Sequence, residues 1–197
     1  MLSVVIATNE SERKLVPTLA ALVPGATAGL VREVIIADPG SRDATAEVAD
    51  VAGCELMVSD APLAERLSQA AERARSPWLL FLEAGAVPQT GWIEETSRFI
   101  EEASLAGEAD KVAAVFRAVS PSLVKPSALR EALALLMQAA GLSRRASHGL
   151  LIGRTLFCRL KRDEVAAKES EADVIRTVVR HLGRRHVVTL QCGAVSA

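Results

Sequence analysis

A chain of 197 residues, half of them hydrophobic and with a net charge of −1, has material for one sizeable core and no basic surplus with which to hold a phosphate backbone. Four Phe, two Trp and no Tyr leave little for the aromatic platforms that stack bases, so the composition argues against a nucleic-acid partner. The three cysteines, Cys54, Cys158 and Cys192, lie far apart with no CxxC pair, which speaks against a structural zinc site and for reduced thiols in a cytoplasmic protein.

Met1 leads directly into the apolar run Leu2 to Ala7, with no basic segment before it, so the start reads as a buried strand rather than a signal peptide. Lys14 to Val23 places Leu15, Leu19, Leu22 and Val23 at helical spacing, and Pro24-Gly25 is expected to stop that helix. Val31 to Ala37 is a second strand and Thr45 to Ala52 a second helix, with Gly53 as its cap. Glu55 to Val58 is a short third strand. Pro62 to Arg75 is a third helix with Leu63, Leu67, Ala70, Ala71 and Ala74 near its inner face, broken by Ser76-Pro77. Trp78 to Leu82 is a strongly apolar fourth strand ending at Glu83, and Thr90 to Ala106 reads as a helix.

Beyond Gly107-Glu108-Ala109-Asp110 the alternation becomes irregular. A strand is expected over Lys111 to Val119, a helix over Ser127 to Ala140, and a short strand over Gly149 to Ile152. A helical turn over Thr155 to Leu160, a helix over Glu171 to Leu182 and a last strand over His186 to Leu190 complete the series. No apolar stretch approaches the ~20 residues that span a bilayer. Ala128 to Ala140 is apolar over much of its circumference, which suits burial in the core, contact with a membrane surface or a homodimer contact.

Strands alternating with helices imply an α/β fold with a mostly parallel central sheet and helices on both faces. Ligands of such sheets bind beyond the carboxyl ends of the strands. Asp38 ends the second strand and is followed by the turn Pro39-Gly40, which makes it the first candidate for ligand contact. The same residue type also caps turns by bonding its own backbone, and Asp43 reads as a helix initiator.

The segments Ser3-Val4-Val5-Ile6 with Asn9-Glu10, Val34 through Thr45, and Trp78-Leu79-Leu80-Phe81-Leu82-Glu83-Ala84 resemble the GT-A glycosyltransferases of family 2, in particular small soluble bacterial members. Ser147 to Phe157, Glu171-Ala172-Asp173-Val174 and Arg180-His181-Leu182-Gly183 extend the resemblance over nearly the whole chain. It implies a single GT-A domain over 1–197, with a nucleotide-binding half at 1–106 and an acceptor-side half at 107–197. It also implies transfer of a sugar from a UDP- or GDP-type nucleotide-sugar donor to an acceptor hydroxyl.

By the same resemblance, Asp38 is the nucleoside-binding acid, with Pro39 where a second acid is usual, and Thr8 and Asn9 line the nucleoside at the end of the first strand. Asp173 matches the catalytic base, with Glu171 two residues before it instead of adjacent, and His148 stands in the loop near the acceptor. Glu83 is the metal candidate for Mg²⁺ or Mn²⁺. Gly85 stands where the family carries the acid that grips the ion, so metal binding is expected to be weak or absent. Arg144 and Arg145 are alternative cations for the diphosphate, or a solvated basic corner. Two functions follow: a glycosyltransferase with an unconventional metal site, or an inactive GT-A protein that binds a nucleotide, a sugar or a protein partner.

Overall fold

The computed structural model describes residues 1–119, 149–164, 171–183 and 186–196. Their elements in chain order are β1 (Leu2–Ala7), α1 (Glu12–Thr27), β2 (Val31–Asp38), α2 (Thr45–Val51), β3 (Glu55–Val58), α3 (Leu63–Arg73), β4 (Trp78–Glu83), β5 (Ala86–Pro88), α4 (Trp92–Leu105), β6 (Ala113–Val119), β7 (Gly149–Gly153), α5 (Arg154–Glu164), α6 (Glu171–Leu182) and β8 (Val187–Ser196). The strands form one eight-stranded sheet in the order β3-β2-β1-β4-β7-β6-β8-β5.

The half that carries β1 to β4 is parallel throughout: β1 lies between β2 and β4, and β3 flanks β2. Beyond β4 the sheet changes character. β7 runs antiparallel to both β4 and β6, β8 is parallel to β6, and β5 is antiparallel to β8.

Alternation along the strands divides the core between the two faces of the sheet. Leu2, Val4 and Ile6 of β1 face one cluster, completed by Leu15 and Leu22 of α1, Ala49 of α2, and Trp92, Phe99 and Ala103 of α4. Val5, Ile35 and Ala37 face the other, with Ala64, Leu67 and Ala71 of α3, Leu156 and Phe157 of α5, and Ile175 and Val178 of α6. Helices therefore cover both faces, as the alternating pattern implies. Two aromatic contacts fix the faces to β4: Trp78 meets Phe99 edge-on with ring centroids 5.7 Å apart, and Phe81 meets Phe157 at 4.6 Å.

Three elements depart from the sequence expectation. Helix α1 does not stop at Pro24-Gly25 but runs to Thr27 with Pro17 and Pro24 inside it. The reason is tertiary: Gly25 is buried against Trp92, and a Cβ there would lie 2.5 Å from the Trp92 Cη2. Gly25 thus serves a close approach, and the turn falls at Gly29, with φ of +72°. Strand β8 extends to Ser196 instead of ending near Leu190, because it is paired on both sides, by β6 and by β5. Strand β5 itself has three residues, too few to show a period. The expected helix over 127–140 and the residues Arg144, Arg145 and His148 lie outside the described residues. No helix among the described residues is long and apolar enough to cross a membrane.

Candidate functional site

Three parallel strands set the site's floor. In the register of the sheet Ala7 of β1 stands between Ala37 of β2 and Glu83 of β4. With neighbouring strands ~4.8 Å apart, the ends of β2 and β4 are roughly 10 Å from each other across β1. Thr8 and Asp38 each lie one residue past this row, so Thr8, Asp38 and Glu83 share the carboxyl edge of the sheet.

Asp38 and Thr8 meet there directly. Both are 3% exposed. Thr8 Oγ1 donates to Asp38 Oδ2 at 2.6 Å, and Ser41 Oγ donates to the same oxygen at 2.7 Å. The backbone N–H groups of Gly40 and Ser41 donate to Oδ1 at 2.7 and 2.6 Å. A carboxylate offers about four acceptor positions, and Thr8 and the Gly40-Ser41 turn together fill all of them. Burial pushes the Asp38 carboxyl up, but the bonds from Thr8, Ser41 and Gly40 together outweigh it and hold the group below its ordinary value. The turn-capping role that Asp invites after a strand is thus realised at Asp38.

The loops after β1 and β2 are laced to each other by polar bonds. Glu10 donates its N–H to Ser41 Oγ at 2.8 Å and accepts the Arg42 N–H on Oε1 at 2.9 Å. Ser11 N–H reaches Thr45 Oγ1 at 3.1 Å. Asp43 accepts the Glu12 N–H at 3.0 Å and the N–H and hydroxyl of Thr45 at 3.0 and 2.5 Å, so one carboxylate serves the starts of both α1 and α2. That is the helix-initiating role read for Asp43, doubled. Asn9 is exposed in this loop, with its N–H donating to Ser11 Oγ at 3.0 Å.

Across the edge, Glu83 is exposed and the next positions turn away from ion binding. Ala84 and Ala86 are buried, and Gly85 has φ of +99° with its N–H donated to Thr18 Oγ1 of α1 at 2.9 Å. Glu83 is the single carboxylate this strand end offers, the Asp38 oxygens are filled by Thr8 and the Gly40-Ser41 turn, and no trio of His, Cys, Asp or Glu suited to an ion occurs among the described residues. A hard cation that travels with a diphosphate takes one or two protein carboxylates and completes its shell with phosphate oxygens and water, and Glu83 is the one carboxylate available to it on this strand end. The backbone of Asp173 lies in the first turn of α6, while its side chain and His148 fall outside the described residues.

One charged residue at this edge escapes a reading of the sequence. Arg66, one turn into α3, is only 9% exposed. Its Nη1 donates to the Ala61 carbonyl at 3.2 Å, and its Nε is shielded from solvent with no hydrogen-bond partner. A buried donor left in this state costs about 1–3 kcal/mol. Burial pushes the guanidinium's pKa down while the nearby Asp38 charge favours the cation. The signal for Arg66 is its position: Leu63, Arg66, Leu67, Ala70 and Ala71 follow the i, i+3, i+4 spacing of the buried face. An apolar groove of about 420 Å³ between α1 and α2, lined by residues such as Val16, Val48 and Val51, has Glu47 as its charged member and offers nothing suited to a phosphate.

The comparisons with known proteins agree with this architecture. No curated protein matches the chain in sequence. Among solved structures, glucosyl-3-phosphoglycerate synthase from Mycobacterium tuberculosis, in complex with Mn²⁺, UDP and glucosyl-3-phosphoglycerate, superposes with a TM-score of 0.59 at 17% identity, covering 100% of this chain and 72% of that one. A mycobacterial protein gives 0.64 at 19% identity, covering 100% and 67%. Residues 1–349 of TarS from S. aureus give 0.66 at 17% identity, covering 100% and 60%. At these identities the likeness concerns the GT-A fold. The profile of glycosyl transferase family 2 matches residues 3–143, most of the chain, and the protein belongs to that family.

Proposed function

We propose that this chain binds a nucleotide-sugar donor at the carboxyl edge of β1, β2 and β4 and transfers the sugar to an acceptor hydroxyl. The observation that carries the reading is the Thr8–Asp38 pair with Glu83 across β1 on the same edge, in a chain of family 2. In this reading Asp38 binds the nucleoside by exchanging one partner. Ser41, half-buried, is the hydroxyl that a ribose oxygen can replace, whereas buried Thr8 stays in place. Asn9, exposed in the adjoining loop, lines the nucleoside, and Glu83 faces the sugar-diphosphate side.

Chemically, the acceptor oxygen forms a bond to the anomeric carbon as the bond to the nucleoside diphosphate breaks. The acceptor's proton passes to Asp173, at the start of α6, as general base. His148 serves the acceptor side. The domain then divides into a donor half, 1–106, and an acceptor half, 107–197, joined by one continuous sheet.

The experiment is thermal unfolding in UDP, GDP, UDP-glucose and GDP-mannose. A ligand of the folded state at ~100 times its Kd adds about 2.7 kcal/mol, roughly 5–10 °C for a chain of this size. We expect a uridine or guanosine diphosphate to raise Tm and Asp38→Ala to abolish the rise; no shift with any of the four overturns the reading. Asp173→Asn is expected to retain the shift while stopping transfer. The second reading, a family member that binds its nucleotide without turnover, is favoured by Gly85 alone and predicts the same shift with no release of UDP or GDP from the donor.

A further inference from the structure

Helix α1 lacks the wet side that a surface helix ordinarily carries. From Leu15 to Val31 the chain has no charged residue. The side of α1 that enters the core does so through Leu15, Thr18, Leu22 and Gly25. On the far side, Val16, Ala20, Val23 and Thr27 recur at helical spacing, and all four are exposed, Val16 by 51% and Val23 by 59%. Helix α2 continues this surface with Val51, 89% exposed. The groove of about 420 Å³ between the two helices has Val16, Leu19, Val48 and Val51 among its walls. An apolar side of this extent on a surface helix calls for a cover.

The chemistry of the surface favours a second helix over a lipid surface. Helices that lie in a membrane interface insert Trp, Phe or Leu and frame them with Lys and Arg. Here the exposed apolar residues are Val, Ala and Pro, and the α2 rim carries Glu47 and Asp50, which an anionic headgroup layer repels. Small residues instead let two helix axes approach to about 8–10 Å.

The charges of α1 select its orientation against such a partner. Arg13 stands one turn before Val16 on the same side, is exposed, and makes no ion pair among the described residues. The last turn of α1 has no basic residue, so the negative end of its dipole is uncompensated by a side chain. An antiparallel copy of the same helix satisfies both ends at once. With Val16 set against the partner's Val23, Ala20 falls on the two-fold axis and Arg13 reaches the carbonyl end of the partner's α1. The arrangement is self-complementary, as a two-fold interface has to be.

We infer that the outer face of α1 and α2 is a homodimer interface, in which α1 packs antiparallel on its counterpart and Val23 of each copy enters the groove of the other. The inference is independent of the donor-site reading, since none of these residues belongs to the row of Thr8, Asp38 and Glu83. A helix of 16 residues is about 24 Å long, and with α2 beside it the face offers about 500 Å² per copy. That is at the small end for a specific interface, so a Kd of about 10–100 µM is expected.

The test is sedimentation equilibrium of the whole chain from about 1 to 200 µM. The expected result is a monomer–dimer equilibrium that Val23→Glu weakens at least tenfold and Arg13→Ala about threefold, with Tm at low concentration unchanged because both side chains are exposed. Arg73→Gln makes the same change in net charge on α3, on the opposite face of the sheet, and should associate as the parent does. Ala20→Cys should form a disulfide-linked dimer under oxidation that the parent, with Cys54, Cys158 and Cys192 alone, does not form. A chain that stays monomeric to the top of the range overturns the inference, as does a dimer that survives Val23→Glu intact. A monomer that floats with phosphatidylcholine–phosphatidylglycerol vesicles, and ceases to with Val23→Glu, overturns it in favour of a lipid surface. If Val23→Glu does not fold, Val51→Glu and the Ala20→Cys cross-link decide the question.

Discussion

Gly85 and Thr18 meet at the back of the carboxyl edge: the Gly85 N–H donates to Thr18 Oγ1 at 2.9 Å, and Thr18 Oγ1 donates to the Lys14 carbonyl one helical turn earlier at 3.3 Å. The strand end after β4 is thus tied into α1 through a fully buried hydroxyl. Gly85→Asp, which writes a family-like acid back into the sequence, should destabilise the fold by about 1–2 kcal/mol through backbone strain. It should not make nucleotide binding metal-dependent. Urea unfolding and titration in EDTA against Mn²⁺ check both halves; a stable variant that has gained a Mn²⁺ requirement would show that the backbone here is free to rearrange.

Thr8→Val keeps the shape of the residue and deletes its donor. Asp38 Oδ2 would then retain only Ser41 Oγ as a side-chain partner in a nearly closed environment. Hydrogen bonds to charged groups contribute about 1.5–3 kcal/mol, and a loss in that range is the expected outcome in chemical denaturation. Nucleotide affinity should fall as well, because the Asp38 loop loses its anchor to β1. A variant as stable as the parent would mean that the Thr8 bond is replaced by water.

The acid limb of stability should carry the signature of Asp38. Its folded carboxyl titrates below the ordinary 3.8, since the bonds to the loop outweigh burial. The unfolded chain therefore takes up the proton first as pH falls, so this group's contribution is present above about pH 4 and disappears as pH drops through the folded value. The stability gap between the parent and Asp38→Asn should be widest near neutral pH and close below about pH 4. A gap that stays constant over that range is the contrary result.

Gly25→Ala sets two effects against each other. Ala is favoured over Gly in a helix by about 1 kcal/mol. At this position its methyl would lie 2.5 Å from Trp92 Cη2 and 2.7 Å from Cζ2, both parts of a buried ring. Overpacking of a dense core costs about 1–3 kcal/mol, so a net loss of stability with a changed Trp fluorescence is expected. A net gain would show that the indole can move aside.

The parallel half of the sheet was legible because β1, the second half of β2 from Ile35 to Ala37, and β4 up to Leu82 are buried on both faces and so read as mostly apolar runs. Asp38 was legible for a related reason: a lone acid after such a run has to lie at a strand end. What escaped depends on distant partners. The continuation of α1 past Pro24 is written at Trp92, whose ring needs the bare Cα of Gly25. The length of β8 is set by β5 and by Glu95, which accepts the N–H groups of Gln191 and Cys192 at 2.8 and 3.0 Å. Arg66 was overlooked because an arginine in an amphipathic helix ordinarily marks the wet face, although its spacing with Leu63 and Leu67 places it on the dry one.

Strand β2 carries a second acid near its other end. Glu33 accepts Ser3 Oγ at 2.5 Å and the Arg75 N–H at 2.7 Å on one oxygen, and Arg75 Nε at 2.6 Å on the other. With Asp38 bonding Thr8 and its own loop at the far end, a carboxylate near each terminus of the strand ties it to the β1 segment. Neither end can peel away without stripping a carboxylate of charge-assisted bonds, so the buried amides from Ile35 to Ala37 are expected among the slowest to exchange their protons. The floor beneath the proposed donor edge is in this sense built from the ordered core, and under that proposal the adjustments of binding fall to the loops above it.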